Sequence, residues 1–221
     1  MFLSDKDIRS AIAKKEIRID KFDESRLQPA SYDILLGNKF IVNDEYQTGF
    51  IDPVRKIYAK THEVNIPDNG EFILHPGVSV LGASWDFFGS DKYLIQLGGK
   101  SSLARIGLMV HNTAGLINPG HYLNITLELC NLNNVPIILH PKMRIGQLTF
   151  SQMTDFPEKD YRDTGRFGGN NWDNFAHEKQ QKVVKLKVKK SASEVKPRMK
   201  KVALKDKTLK VNKTSRLARS K

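Results

Sequence analysis

Apolar residues in the first 155 positions come in short runs, not in long helical stretches. YDILLGNKFIV (32–42), EFILHPGVSVLGAS (71–84), KYLIQLGG (92–99), IGLMVHN (106–112), YLNITLELCNL (122–132), VPIILHP (135–141) and MRIGQLTFSQM (143–153) are separated by Gly, Pro, Asn and Asp. Runs of that length with turn residues between them predict strands of a sandwich or barrel. One segment follows the other period. Ser4 and Asp7 form a capping signal, and Ile8, Ala11 and Ile12 fall on one helical face, so a short N-terminal helix is expected.

After Met153 the pattern fades. DFPEKDYRDTGRFGGNNWDNFAHEKQ carries glycines, aromatics and charges without sustained periodicity, and the following segment is lysine-rich with too little apolar material for a core. The expected organisation is a β domain over 1–155, an arm over 156–180 and a disordered basic tail over 181–221. Val184, Leu186 and Val188 alternate with lysines, which allows a transient strand.

Charge sharpens this division. The 221 residues carry a net charge of +12, but residues 181–221 hold 16 Lys and Arg against two acids, Glu194 and Asp206. The remainder is therefore close to neutral, and any nucleic-acid contact implied by the basic total belongs to the tail: weak, sequence-independent and salt-sensitive. A single cysteine, Cys130, excludes an internal disulfide and a zinc site built on several thiolates. The sequence contains no run approaching a membrane span, and MFLSDKDIRS lacks a signal-type apolar segment. A soluble, cytoplasmic protein is expected.

Three stretches carry candidate chemistry. In NITLELCNL, strand alternation puts Ile125, Leu127 and Leu129 on one face and Thr126, Glu128 and Cys130 on the other. If Thr126 and Cys130 line a cavity, Glu128 is a partly desolvated carboxylate suited to moving protons; the plain alternative is a carboxylate facing water. In KSSLAR, Lys100 and Arg105 can pair with phosphate oxygens while Ser101 and Ser102 fill further acceptor positions or hold a water. The alternative there is a turn after Gly98-Gly99 with ordinary surface cations. HNTAGLINPGHY (111–122) reads as a loop with a turn at Asn118-Pro119-Gly120, and His111 as a satisfied histidine more readily than a ligand. Neither a zinc-deaminase H-x-E…P-C-x-x-C pattern nor an H-E-x-x-H helix is present.

Taken in order, KSSLARIGLMVHNTAGLINPGHYLNITLEL closely resembles the dCTP deaminase branch of the trimeric dUTPase superfamily, with its [RK]-S-S-L-[AG]-R-x-G-L, H-x-T-A-x-x-I-D-P-G and T-L-E motifs. SDKDI, LQPASYDILLGNKF, LHPG (74–77) and PKMRIGQLTF extend the resemblance over roughly the first 170 residues. It implies a mainly β fold, a distorted barrel or jelly roll of the dUTPase-like type, in a homotrimer whose active sites lie between subunits.

The implied activity is hydrolytic deamination of dCTP to dUTP and ammonia, without zinc, Mg²⁺ arriving on the triphosphate. By position, Glu128 matches the catalytic glutamate, and Ser101 and Arg105 match residues that help place the water and pyrimidine. Lys100, Ser102 and Arg105 lie in the triphosphate-contacting segment, Ala114 borders the base, and Thr126, Leu127 and Glu128 line the nucleoside pocket. Tyr161 matches a phosphate-side tyrosine, and Arg166 and Asn170 stand where the family has lysine and glutamine.

Asn118 departs from the pattern. It replaces an aspartate that resembling proteins use at the deoxyribose and that dUTPases use to activate water. An amide retains an acceptor but cannot be a base, which weakens a dUTPase or bifunctional reading. His121 and Leu123 also differ from the usual aromatic and glycine, which opens the alternative of a modified deoxycytidine nucleotide. A further alternative is a catalytically altered, nucleotide-binding regulatory protein.

Overall fold

The computed structural model describes residues 1–44, 48–159 and 161–165. The expected tail (181–221) and most of the expected arm, including Arg166 and Asn170, lie outside the described residues.

The N-terminal helix is present as α1 (Asp5–Ala13). Ser4 and Asp7 form the reciprocal capping box, and Ile8 and Ala11 face the core. Five long strands then build the body: β1 (Ser31–Asn43), β2 (Ser79–Gly89), β3 (Tyr93–Gly99), β4 (Leu123–Asn131) and β5 (Arg144–Gln152). They belong to a ten-stranded sheet whose main path runs Leu108–Met109, β4, β2, β1, β5, β3, Leu116–Ile117.

Strand β1 joins the two halves of this sheet. Tyr32 to Leu35 pair with β5, whereas Leu36, Phe40 and Ile41 pair with β2. A strand that changes partner midway curls the sheet around one core, in which Tyr32, Phe40, Phe88 and Phe150 are fully enclosed. This is the mainly β, curled architecture expected from the sequence.

Several details depart from the pattern reading. EFILHPGVSVLGAS is two strands, Phe72–Leu74 and β2, divided at His75-Pro76-Gly77, and β2 continues through Trp85 to Gly89. Thr61–Asn65, which pairs with β1, gave no sequence signal because only Val64 in it is apolar. KSSLAR is not a plain turn: Ser101–Ala104 form one helical turn, α2, and Tyr161–Thr164 form another, α3. Gly107 closes the chain after α2 at φ +84°, where an added Cβ would lie 2.9 Å from the Asn133 nitrogen.

One ion pair is sealed within the fold. Arg26 and Asp86 meet through two hydrogen bonds with side chains 4% and 0% exposed, and the guanidinium also lies 4.8 Å over the Tyr32 ring. Burial pushes the Tyr32 phenol up to about 12, against the opposing pull of the Asp23 N–H and the Arg26 cation.

Candidate active site

Strict alternation in β4 fixes the orientation of its polar side chains. Leu123, Ile125, Leu127 and Leu129 are buried, while Asn124, Thr126, Glu128 and Cys130 lie on the opposite, half-buried face. On that face Glu128 stands directly opposite Leu81 of β2, and Leu81 opposite Ile41 of β1; Thr126 stands opposite Ala83. Ile41, Ala83 and Leu81 form a small apolar cluster separate from the main core. A carboxylate thus sits at the margin of a small, mostly buried apolar cluster on the face of the sheet away from the main core.

Glu128 Oε2 accepts the backbone N–H of Asn112 at 2.9 Å, and Oε1 has no hydrogen-bond partner among the described residues. One oxygen is fixed and the other is available. The neighbouring His111 is not the satisfied histidine expected: its Nδ1 is buried without a hydrogen-bond partner among the described residues.

A second group surrounds α2. Gly99, Lys100, Ser101, Ser102, Ala104 and Gln147 line a cleft of about 430 Å³. Ser101, Ser102 and Arg105 are exposed, and Lys100 caps the turn while its ammonium contacts Asp33 Oδ1 at 2.6 Å. Gln147 spans the cleft floor, accepting from Ser31 Oγ at 3.2 Å and donating to the Gly99 carbonyl at 3.3 Å.

The third group is the turn at 118–121. Asn118 is exposed and its carbonyl accepts from the His121 nitrogen at 3.1 Å. The buried His121 ring stacks on Tyr161, with centroids 3.9 Å apart, and the Tyr161 nitrogen donates to the Pro119 carbonyl at 3.1 Å. Tyr161 therefore ties the start of the arm to this turn.

Within one chain these groups remain distinct. None of the hydrogen bonds among the described residues joins Glu128 to Ser101 or Arg105. Ala114 is exposed in the loop after Asn112, beside Gly115, whose carbonyl accepts from Leu97. The Leu127 side chain is 0% exposed in the core, so it can border the outer face only through its backbone. Asp33 and Gln147 escaped the sequence reading. Asp33 is a solitary acid inside an apolar strand run, which was the available signal, whereas Gln147 alternates with Thr149 and Ser151 as an ordinary polar strand position and gave none. Among the described residues, no group of three or more His, Cys, Asp or Glu side chains could hold a metal ion, and no helix is long and apolar enough to cross a membrane.

Comparison with known proteins identifies the family of the chain. The family model described as dCTP deaminase-like matches residues 2–153. A dCTP deaminase, dUMP-forming, of Corynebacterium jeikeium (strain K411) is 47% identical over 162 residues, covering 73% of this chain and 86% of that protein. Its counterpart in Tropheryma whipplei (strain Twist) is 45% identical over 155 residues, covering 70% and 79%. The crystal structure of 2′-deoxycytidine 5′-triphosphate deaminase from Agrobacterium tumefaciens superposes with a TM-score of 0.53 at 21% identity. That match covers 69% of this chain and 48% of the other, and it supports the fold alone. With the family model spanning residues 2–153 and curated relatives matching along 79–86% of their length, the chain belongs to the dCTP deaminase-like family.

Proposed function

We propose that the chain deaminates dCTP hydrolytically, releasing dUTP and ammonia, with Glu128 moving the protons. The observation that carries this reading is a carboxylate with one oxygen held by Asn112, the other available, and an apolar strip of Leu81, Ile41 and Ala83 beside it. Leu81, the partly exposed member of that strip, can meet the flat face of a pyrimidine, and the free oxygen can take a proton from water. The water oxygen bonds to C4 as the carboxylate carries one of the water's protons to the ring nitrogen, where it stays. The carboxylate then carries the second proton, from the new C4 hydroxyl, to the amine, and the C4–N bond breaks as ammonia leaves and the carbonyl forms. Ser101 and Arg105 position the water and base. Mg²⁺ comes with the triphosphate, held through phosphate oxygens and water. Zinc takes no part in this scheme.

The cleft beside α2 receives the phosphates, Lys100, Ser101, Ser102 and Arg105 supplying cations and hydroxyls. Ala114, Thr126 and the Leu127 backbone border the nucleoside, Asn118 the sugar, and Tyr161, Arg166 and Asn170 the phosphate side. A homotrimer completes each site. What supports assembly is that no hydrogen bond among the described residues joins Glu128 to Ser101 or Arg105 within one chain. The physiological role is supply of deoxyuridine nucleotide for dUMP and dTTP synthesis in the cytoplasm.

The names of the curated relatives favour a second reading, in which dUTP is further hydrolysed to dUMP and pyrophosphate. Asn118 speaks against it, because its amide cannot accept the proton of an attacking water. Incubation with dCTP and Mg²⁺, followed by ammonia assay and chromatography of the nucleotides, decides both points. Ammonia with dUTP supports the proposal. Ammonia with dUMP and pyrophosphate supports the second reading, and no ammonia overturns the deaminase reading in favour of a nucleotide-binding regulator.

A further inference from the structure

Lys100, which lines the α2 cleft, is paired with a buried carboxylate to which the catalytic scheme gives no part. Asp33, in β1, is 1% exposed. It lies opposite Gln147 of β5, and Gln147 lies opposite Gly98 of β3, so the three positions form a row on one face of the sheet. Gly98 places no side chain over the row. Lys100, two residues further along, shares that face, and its ammonium lies back against Asp33 Oδ1 at 2.6 Å. On the other flank Arg144 Nη1 reaches Oδ2 at 3.3 Å, while its Nη2 donates to the Ser25 carbonyl at 3.0 Å.

Each carboxylate oxygen is therefore committed to a different cation. One anion shared by two cations leaves this group with net positive charge at the cleft. A carboxylate this deeply enclosed is costly unless paired, and apolar residues would fill the same space at no such cost. What the pair achieves is order: a lysine on a four-carbon stem samples many rotamers unless something holds its ammonium.

We propose that Asp33 is a positioning residue, holding Lys100 at the start of α2 so that the cleft meets the triphosphate with a cation already in place. The inference rests on reading this cleft as the phosphate end of the deaminase site. A fixed cation lowers the ordering needed on binding, and its benefit scales with the phosphate charge that reaches it. Asp33 thereby favours the triphosphate over the monophosphate without touching either.

The test compares the full-length wild-type protein with Asp33→Asn, which keeps the shape and removes the charge. Equilibrium affinity for dCTP with Mg²⁺ and for dCMP is measured alongside kcat and KM for ammonia release from dCTP. Affinity for dCTP is expected to fall about tenfold and its KM to rise in step, the size of effect expected from a lost charge-assisted hydrogen bond. Affinity for dCMP and kcat should stay within about threefold, and adding Lys100→Met to Asp33→Asn should cause little further loss. Equal weakening of both nucleotides, a fall in kcat alone, or unchanged dCTP affinity would overturn the proposal. If Asp33→Asn fails to fold by circular dichroism, Arg144→Gln tests the same carboxylate from its exposed partner. A rise of about threefold in the dCTP dissociation constant supports the proposal, and no change overturns it. If wild type binds dCTP but releases no ammonia, the deaminase reading fails, and the affinity comparison still decides the role of Asp33.

Discussion

The backbone N–H of Asn112 holds one oxygen of Glu128 at 2.9 Å, across sixteen residues of sequence. Because that bond uses only Oε2, the carboxylate is oriented without being consumed. Glu128→Gln keeps an acceptor for Asn112 and loses the ability to carry a proton. Nucleotide affinity should be nearly unchanged while ammonia release from dCTP falls about 10²-fold or more. Arg105→Ala should damage affinity and turnover together. Full activity in the glutamine variant would remove Glu128 from the chemistry.

Metal dependence separates the proposed scheme from zinc-assisted deamination. A zinc-selective chelator such as 1,10-phenanthroline should leave turnover intact, whereas EDTA should weaken it by removing Mg²⁺ from the nucleotide. Inactivation by phenanthroline, reversed by added zinc, would contradict the scheme.

Acid stability should depend on Glu16. Its two oxygens accept from Lys92 Nζ at 2.8 Å and Tyr93 Oη at 3.0 Å, and these bonds, the lysine's first, hold the carboxyl below its ordinary value of 4.5. With the folded value depressed, the unfolded chain protonates first as pH falls. The stabilisation is present above the ordinary value and lost as pH drops through the folded one. As pH drops below the ordinary value of 4.5, the thermal midpoint of wild type should therefore fall more steeply than that of Glu16→Gln. Parallel curves would show that Glu16 is not responsible. The effect should reach the 118–121 turn, since Ser90 donates to the Glu16 carbonyl and accepts from Gly120.

Asp86→Ala leaves the buried Arg26 guanidinium without its carboxylate. Breaking such a pair costs about 3–5 kcal/mol, and urea denaturation should show it as a lowered midpoint. A loss below about 1 kcal/mol would mean that water reaches Arg26 in the variant.

Removal of residues 181–221 tests the basic segment. Turnover of dCTP should be retained, since every residue placed at the proposed site precedes it, while salt-sensitive retention on immobilised nucleic acid should disappear. Loss of turnover would assign the segment to the site or the trimer. A full-length chain with no salt-sensitive retention would dispose of the nucleic-acid contact.

Local pattern carried the reading as far as local physics reaches. The capping box of α1 is written within four residues, and the face of Glu128 follows from a period of two in β4. A single helical turn such as α2 is too short to show a period. The clamp on Lys100 depends on β1, β5 and β3 lying side by side, which brings Asp33 to Arg144 across 111 residues. Asp33 in SYDIL could be seen as an odd acid among apolar residues, but its partners could not. The stacking of His121 on Tyr161 is hidden for the same reason: it joins a turn to a segment forty residues later that shows no pattern of its own.

The place of β5 between β1 and β3 has a consequence for biosynthesis. Tyr32 waits for Leu148, and Gln96 for Thr149, so two strands made early have an open edge until one of the last is synthesised. A nascent chain halted before Gln152 would expose both edges at once, each a template for another chain's backbone. Ribosome-bound chains arrested just short of β5 should accordingly be the species that recruit chaperones or aggregate, and those released beyond it should close the sheet in one cooperative step.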